Sequence, residues 1–208
     1  MSERGLHQRI LYWLGQTLTR ILCVLLGRLE VIGQENVPQE GGVLIASNHL
    51  SNLDPPLIGS SIRRPIHYFA KEELFQIPIF GWIIAQVNAF PVKRLEHDIG
   101  AFRKAYALLS QGEGVLLFPE GHRSKTGDLG PAKPGLAMLA VKAGVPVVPV
   151  CILNSHGLLK FKKLKIAFGH PLKPSKQVQE NRSYEIFASE IMEAIAALKS
   201  KLYNDSSS

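Results

Sequence analysis

The sequence predicts a single α/β domain with a largely parallel or mixed central sheet flanked by helices, preceded by a long amphipathic N-terminal helix. Three observations lead there. Short apolar runs rich in β-branched residues, such as Gly42 to Ser47 and Val145 to Leu153, have the length of buried strands. Helix-period stretches separate these runs, and strands alternating with helices imply parallel pairing through crossovers. The chain has 208 residues, enough to bury a core without a disulfide or metal staple. Its two cysteines, Cys23 and Cys151, sit in apolar runs. They read as small buried hydrophobes in a reducing compartment, and neither a disulfide scaffold nor a Cys-based zinc cage is expected. With 18 Gly and 13 Pro, the composition excludes a fibrous or low-complexity chain.

The elements follow in order. Leu6 to Leu29 reads as one helix. Gln16, Thr17, Thr19 and Arg20 interrupt its apolar run, whereas a span needs about 20 mostly apolar residues. No small-residue cleavage site follows, which argues against a signal peptide. Arg9, Gln16, Arg20 and Gly27 share one helix face, and Leu11, Leu14, Leu18, Ile21, Leu22, Leu25 and Leu29 fall opposite. A lone Arg at mid-bilayer costs about 2.5–3.5 kcal/mol, a cost avoided by lying in the interface. Tyr12 and Trp13 suit that depth. Residues 1–29 are therefore expected to lie in the plane of a membrane, peripheral or monotopic, against the alternatives of a core helix or a span. Residues 30–203 form the α/β domain, and 204–208 a disordered tail.

Gly42 to Ser47 is a buried strand, and Asp54-Pro55-Pro56 opens a helix to about Ser61. Ile66 to Ala70 is a strand, Ile79 to Gln86 a helix and Ala89 to Val92 a strand. Ile99 to Leu109 is an amphipathic helix ending near Gly112, Val115 to Phe118 a buried strand and Gly135 to Ala143 a helix. Pro146 and Pro149 cannot donate ladder hydrogen bonds, so Val145 to Leu153 is expected at a sheet edge or kinked. Leu164 to Phe168 is a strand, and Ser183 to Leu202 closes the fold as a helix.

Net charge is +7, which can attract nucleic acid, anionic lipid or a phosphorylated small substrate. The basic residues are dispersed and no aromatics interleave them, so nucleic acid is not expected as a partner. Chemistry concentrates at strand ends, where functional groups of α/β sheets gather. Ser47-Asn48-His49-Leu50-Ser51-Asn52-Leu53-Asp54 follows a buried strand and precedes a helix. His49 can exchange a proton near neutral pH. Asp54, five residues on, can fold back to fix the ring's tautomer. Asp54 also reads as a plain N-cap before Pro55, and one oxygen could serve each role. Phe118-Pro119-Glu120-Gly121-His122-Arg123-Ser124 ends another strand: Gly121 permits close backbone approach and Arg123 offers a planar fork to phosphate. Its bland reading is a polar turn with a surface ion pair. Lys71 and Arg94 end two further strands. If these strands are parallel neighbours, a base and several cations converge on one rim, which suits a phosphorylated substrate bearing a hydroxyl.

NHLSNLD resembles the first block of the glycerolipid acyltransferases typified by 1-acylglycerol-3-phosphate acyltransferase. AFPVKR, FPEGHRS and VPVVPV resemble that family's second, third and fourth blocks in order, and FAKEEL a segment between the first two. The likeness covers about Gly33 to Val150. Two positions depart: Asn88 stands where Gly is usual, and His122 where Thr is usual. The resemblance implies acyl transfer from a thioester, acyl-CoA or acyl carrier protein, to a lysophosphatidate hydroxyl at the cytoplasmic face of a membrane. It casts His49 as general base and Asp54 as its partner. Lys71, Arg94 and Arg123 would hold the acceptor phosphate, with Gly121 beside them. Glu120 would either orient an Arg or bind a glycerol hydroxyl. No metal or redox cofactor is implied.

Overall fold

Val43–Ser47 is buried at every position and organises the molecule. Its side chains alternate between two apolar layers, Leu44 and Ala46 on one side and Val43 and Ile45 on the other, so both faces of the sheet must be covered. The computed structural model describes residues 6–92, 98–160, 162–181 and 183–204. In chain order the elements are α1 (Leu6–Gly27), β1 (Glu30–Ile32), β2 (Val43–Ser47), α2 (Asp54–Ser60), β3 (Ile66–Lys71), α3 (Glu72–Phe75), α4 (Phe80–Gln86) and β4 (Ala89–Val92). They continue with α5 (Ile99–Ser110), β5 (Gly114–Leu117), α6 (Gly135–Ala143), β6 (Val147–Leu153), β7 (Lys165–Phe168), α7 (Lys176–Asn181) and α8 (Tyr184–Asn204). The short elements β1, α3 and α7 were not expected from the sequence. Arg94 and residues 205–208 of the expected tail lie outside the described residues, as does the side chain of Arg9.

Among the described residues one sheet of seven strands runs β1-β7-β6-β2-β5-β3-β4. Every neighbouring pair is parallel except β6 with β7, so the sheet is mixed. Residues of α5, α6 and α8, including Ala105, Leu109, Leu139, Phe187, Ile191 and Ile195, fill one layer. Leu57 and Ile58 of α2, with Tyr12 and Cys23 of α1, fill the other.

The expected edge position of the VPVVPV strand is not observed: β6 lies inside the sheet, between β7 and β2. Pro146 precedes the strand, and its carbonyl accepts from Leu44 N–H. Pro149 is tolerated because the facing chain bulges there. Val150 pairs with Phe168 but Val147 with Leu172, so three steps on β6 face four opposite. The Pro149 ring packs on Gly169, where a Cβ would stand 2.9 Å from Cγ, and Gly169 N–H donates to the Pro149 carbonyl.

The first helix also departs from expectation. Tyr12 is 4% exposed, and its hydroxyl accepts from Ile66 N–H at 3.1 Å rather than sitting at a membrane interface. Gln16 and Arg20 share one face as expected and line the same cleft, but Gln16 is tied to the domain: its Nε2 donates to the Gly59 and Ile62 carbonyls at the end of α2, both at 2.8 Å. Arg20 is exposed. Leu14, Leu18, Ile21, Leu22 and Leu25 are 45–70% exposed. Among the described residues no helix is long and apolar enough to cross a membrane. Beneath the sheet's opposite end, buried Arg64 donates to the carbonyls of Pro38, Gly41 and Gly112.

Candidate active site

Strands β2, β5, β3 and β4 are consecutive parallel neighbours, so their C-terminal ends share one edge. His49 follows β2 on that edge. The residue before it is pinned first: the Asn48 side chain donates to Ile152 O at 3.0 Å and accepts from Ile152 N at 2.8 Å, extending the ladder to β6 through a side chain. The His49 main chain is then held by the loop after β5. Its N–H donates to Glu120 Oε1 at 3.2 Å, and its carbonyl accepts from Ser124 N–H at 2.7 Å. The imidazole stacks on Phe118 with centroids 3.8 Å apart and planes 13° from parallel.

Asp54 is fully buried, and its Oδ2 lies 2.7 Å from His49 Nδ1. The same oxygen accepts from the backbone N–H groups of Leu50 at 2.6 Å and Ser51 at 2.7 Å. With two amide donors already on that oxygen, the third contact is read as a ring N–H donated by Nδ1, which leaves Nε2 as the ring's acceptor. The sequence reading gave one carboxylate oxygen to the helix cap. Instead Oδ2 takes all three contacts, and Oδ1 has no hydrogen-bond partner among the described residues. The reason is local. Pro55 and Pro56 carry no N–H, and the next one along, Leu57 N–H, is taken by the Leu53 carbonyl.

Glu120 is 1% exposed and spends both oxygens on backbone: Oε1 on His49 N–H, and Oε2 on Gly130 N–H at 3.0 Å. No arginine pairs with it among the described ion pairs. Gly121 has φ +72°, and a Cβ there would stand 3.1 Å from both Cε and Nζ of Lys133. Lys133 is a further cation at this edge, held by its N–H to the Pro119 carbonyl at 2.9 Å. Sequence reading missed it, because only its contact with Gly121 marks it. Arg123 is exposed and lines a cleft of about 410 Å³ with Glu120, His122, Ser124, Lys125 and Asp128. His122 Nδ1 contacts the Glu120 carbonyl at 2.9 Å. Lys71 ends β3, half-buried, paired with Val92 of β4. Asn88, in a position where Gly is usual, has φ +67°, a left-handed conformation that Asn tolerates best after Gly. Among the described residues no cluster of three His, Cys, Asp or Glu side chains forms a metal-ligand set.

A family model described as Acyltransferase matches residues 28–153, more than half of the chain. The chain belongs to the Acyltransferase family. The match to this acyltransferase model begins just past α1 and ends on the last residue of β6, enclosing every strand end described above. The chain is 34% identical over 157 residues to the 1-acyl-sn-glycerol-3-phosphate acyltransferase of Bacillus subtilis, covering 74% of this chain and 78% of that one. It is 31% identical over 160 residues to a chloroplastic 1-acyl-sn-glycerol-3-phosphate acyltransferase of Brassica napus, covering 72% of this chain and 46% of the relative. The chain thus spans about half the length of the chloroplastic relatives it matches. The crystal structure of PlsC, the 1-acyl-sn-glycerophosphate acyltransferase of Thermotoga maritima, superposes with a TM-score of 0.71 at 28% identity, over 93% of this chain and 83% of that one.

Proposed function

We propose that this chain transfers a fatty acyl group from a thioester, acyl-CoA or acyl carrier protein, to the sn-2 hydroxyl of 1-acylglycerol-3-phosphate, giving phosphatidate. The observation that carries the reading is the 2.7 Å contact between His49 Nδ1 and Asp54 Oδ2 at the strand edge. A thioester is already activated; the alcohol lacks nucleophilicity at neutral pH. His49 Nε2 takes the hydroxyl proton as the oxygen attacks the thioester carbonyl, and Asp54 stabilises the imidazolium. Collapse of the tetrahedral adduct breaks the carbon–sulfur bond, and the same proton passes to the departing thiolate. General-base assistance of this kind contributes about 10²–10⁴-fold.

In this reading Lys71, Arg94 and Arg123 hold the acceptor phosphate, and Lys133 joins them through its place against Gly121. Glu120 acts through the backbone of His49 rather than on a substrate hydroxyl. The apolar exposed side of α1 lies in the membrane interface, where the acceptor's chain remains among the lipids.

The test is His49→Ala, assayed with lysophosphatidate and each thioester donor. The variant is expected to stay folded at the assay temperature, with a melting temperature lowered by loss of the Asp54 and Phe118 contacts, and to lose acyl transfer. Turnover near that of the wild type would refute the mechanism. Transfer only to phosphate-free acceptors would refute the cation roles.

A further inference from the structure

No charged residue occurs between Glu73 and Lys93. α3 leaves the catalytic edge at Lys71 with Glu72 and Glu73 in its first turn; the uncharged stretch follows them and returns to the edge along β4. Within it Ile77, Ile79, Phe80, Trp82 and Ile83 are 43–76% exposed. Ile79 stands at the turn between α3 and α4 with φ +65° and ψ −55°. A β-branched residue adopts such a backbone only under strain of roughly 1–3 kcal/mol. The strained turn presents its isoleucine outward, 76% exposed.

The hairpin does not stand alone. Gly15 of α1 packs at its base, where a Cβ would come 3.2 Å from Cγ1 of Val87. Close to these two residues in the chain, Trp13, Leu14 and Leu18 of α1 and Trp82 and Ile83 of α4 are exposed. Both tryptophans of the chain, Trp13 and Trp82, are among them, 61% and 58% exposed. Beside Trp13, Arg20 and Arg63 line a cleft of about 310 Å³ that no carboxylate lines among the described residues. An uncharged apolar tip, exposed tryptophans and a cationic border together match an anionic bilayer: hydrocarbon for the tip, the interface for the indoles and headgroups for the arginines.

We propose that the α3–α4 hairpin is a second bilayer-inserting element, entering an anionic leaflet beside α1 with the Arg20–Arg63 cleft at headgroup level. The inference rests on the reading of α1 as an interfacial helix. Because α3 begins where β3 ends, insertion brings the edge bearing Lys71 and His49 down to the leaflet. The acceptor's hydroxyl then reaches the imidazole while its chain stays among the lipids.

Trp13→Phe leaves Trp82 as the single tryptophan, a reporter inside the hairpin. With vesicles of phosphatidylcholine and phosphatidylglycerol, Trp82 emission is expected to shift to the blue and to be quenched by bromine placed on the acyl chains. Vesicles lacking phosphatidylglycerol should bind the chain more weakly. Unshifted, acrylamide-accessible emission from protein that sediments with vesicles would overturn the proposal, as would failure to sediment. Ile79→Ser combined with Phe80→Ser should lower vesicle partitioning about tenfold or more. Its turnover of a short-chain, monomeric acceptor should stay within about twofold of the parent. Unchanged partitioning, or equal loss on the monomeric acceptor, would refute the role assigned to the hairpin. Trp82 quenching needs no catalysis, so an inactive protein whose hairpin inserts would refute the acyl-transfer reading alone.

Discussion

Replacing Asp54 by Asn separates the charge at the site from its shape. The carboxylate is fully buried, and its Oδ2 serves His49 Nδ1 and the amides of Leu50 and Ser51. An amide oxygen can occupy the same place and keep the two backbone bonds. Each bond weakens from a charged acceptor, worth about 1.5–3 kcal/mol, to a neutral one, worth about 0.5–1.5 kcal/mol, so the fold should lose about 2 kcal/mol. The catalytic loss is larger. The imidazolium formed during proton abstraction loses an opposite charge about 4 Å away, which at an effective dielectric near 20 is worth about 4 kcal/mol. That converts to roughly a 10³-fold fall in kcat. The assay follows thiol release from the donor at saturating lysophosphatidate, beside a thermal melt. The double variant with His49→Ala should be no slower than His49→Ala alone, because the carboxylate acts only through the ring. Asp54→Asn retaining turnover within tenfold of the wild type would refute the reasoning.

Other outcomes follow from the same contacts. Glu120→Ala frees the His49 main chain and should lower kcat about 10–100-fold with little change in acceptor KM. Glu120→Gln should recover part of it, since an amide oxygen can still accept from His49 N–H; a rise in KM alone would point to a substrate contact instead. Burial pushes the Cys23 thiol up to about 11 and the Cys151 thiol up to about 12, from an ordinary 9.0. Neither should react with a disulfide reagent at pH 8 until the chain is denatured. The unfolded chain loses these protons first, so their contribution to stability is complete below pH 9 and declines as pH rises toward 11 and 12. Arg64→Ala strips donors from three buried-side carbonyls. At about 1 kcal/mol each, the melting temperature should fall by roughly 6–12 °C with activity retained below the transition.

The strands that carry chemistry were legible because each is a short apolar run ending in polar residues. Ala89–Val92 and Gly135–Ala143 fall where the sequence places them. What escaped depends on partners distant in the chain. β1 has three residues, all half-buried, and exists because β7 pairs with it. The interior place of β6 depends on Gly169 leaving room for a proline ring, which no local pattern announces. In α1 the periodicity reveals an apolar surface and a polar face, but not what Gln16 on that face binds. Carbonyls at the end of α2, distant in the chain, supply its partners. At the site, His49 and Asp54 were legible as a pair across a turn. The role of Glu120 was not, because its acceptors are backbone amides, which leave no mark on sequence. Lys133 was hidden for a similar reason, since it is marked at the edge only by its approach to a glycine.

Parallel pairing explains why separate blocks form one site. Ala46 pairs with Leu117, and three residues beyond that pair stand His49 and Glu120, joined by a hydrogen bond. Tyr68 pairs with Leu116, and three residues beyond that pair stand Lys71 and Pro119. Equal offsets along parallel neighbours become lateral neighbours at the edge, so the sheet register sets which side chains meet before any loop contributes. The loop contacts then fix orientation: Phe118 beneath the imidazole, Ser124 N–H on its carbonyl, Asp54 on Nδ1. A ring held through its backbone, its face and one nitrogen keeps a single nitrogen for chemistry. That constraint, more than the presence of a histidine, suits the strand edge to taking one proton from one hydroxyl.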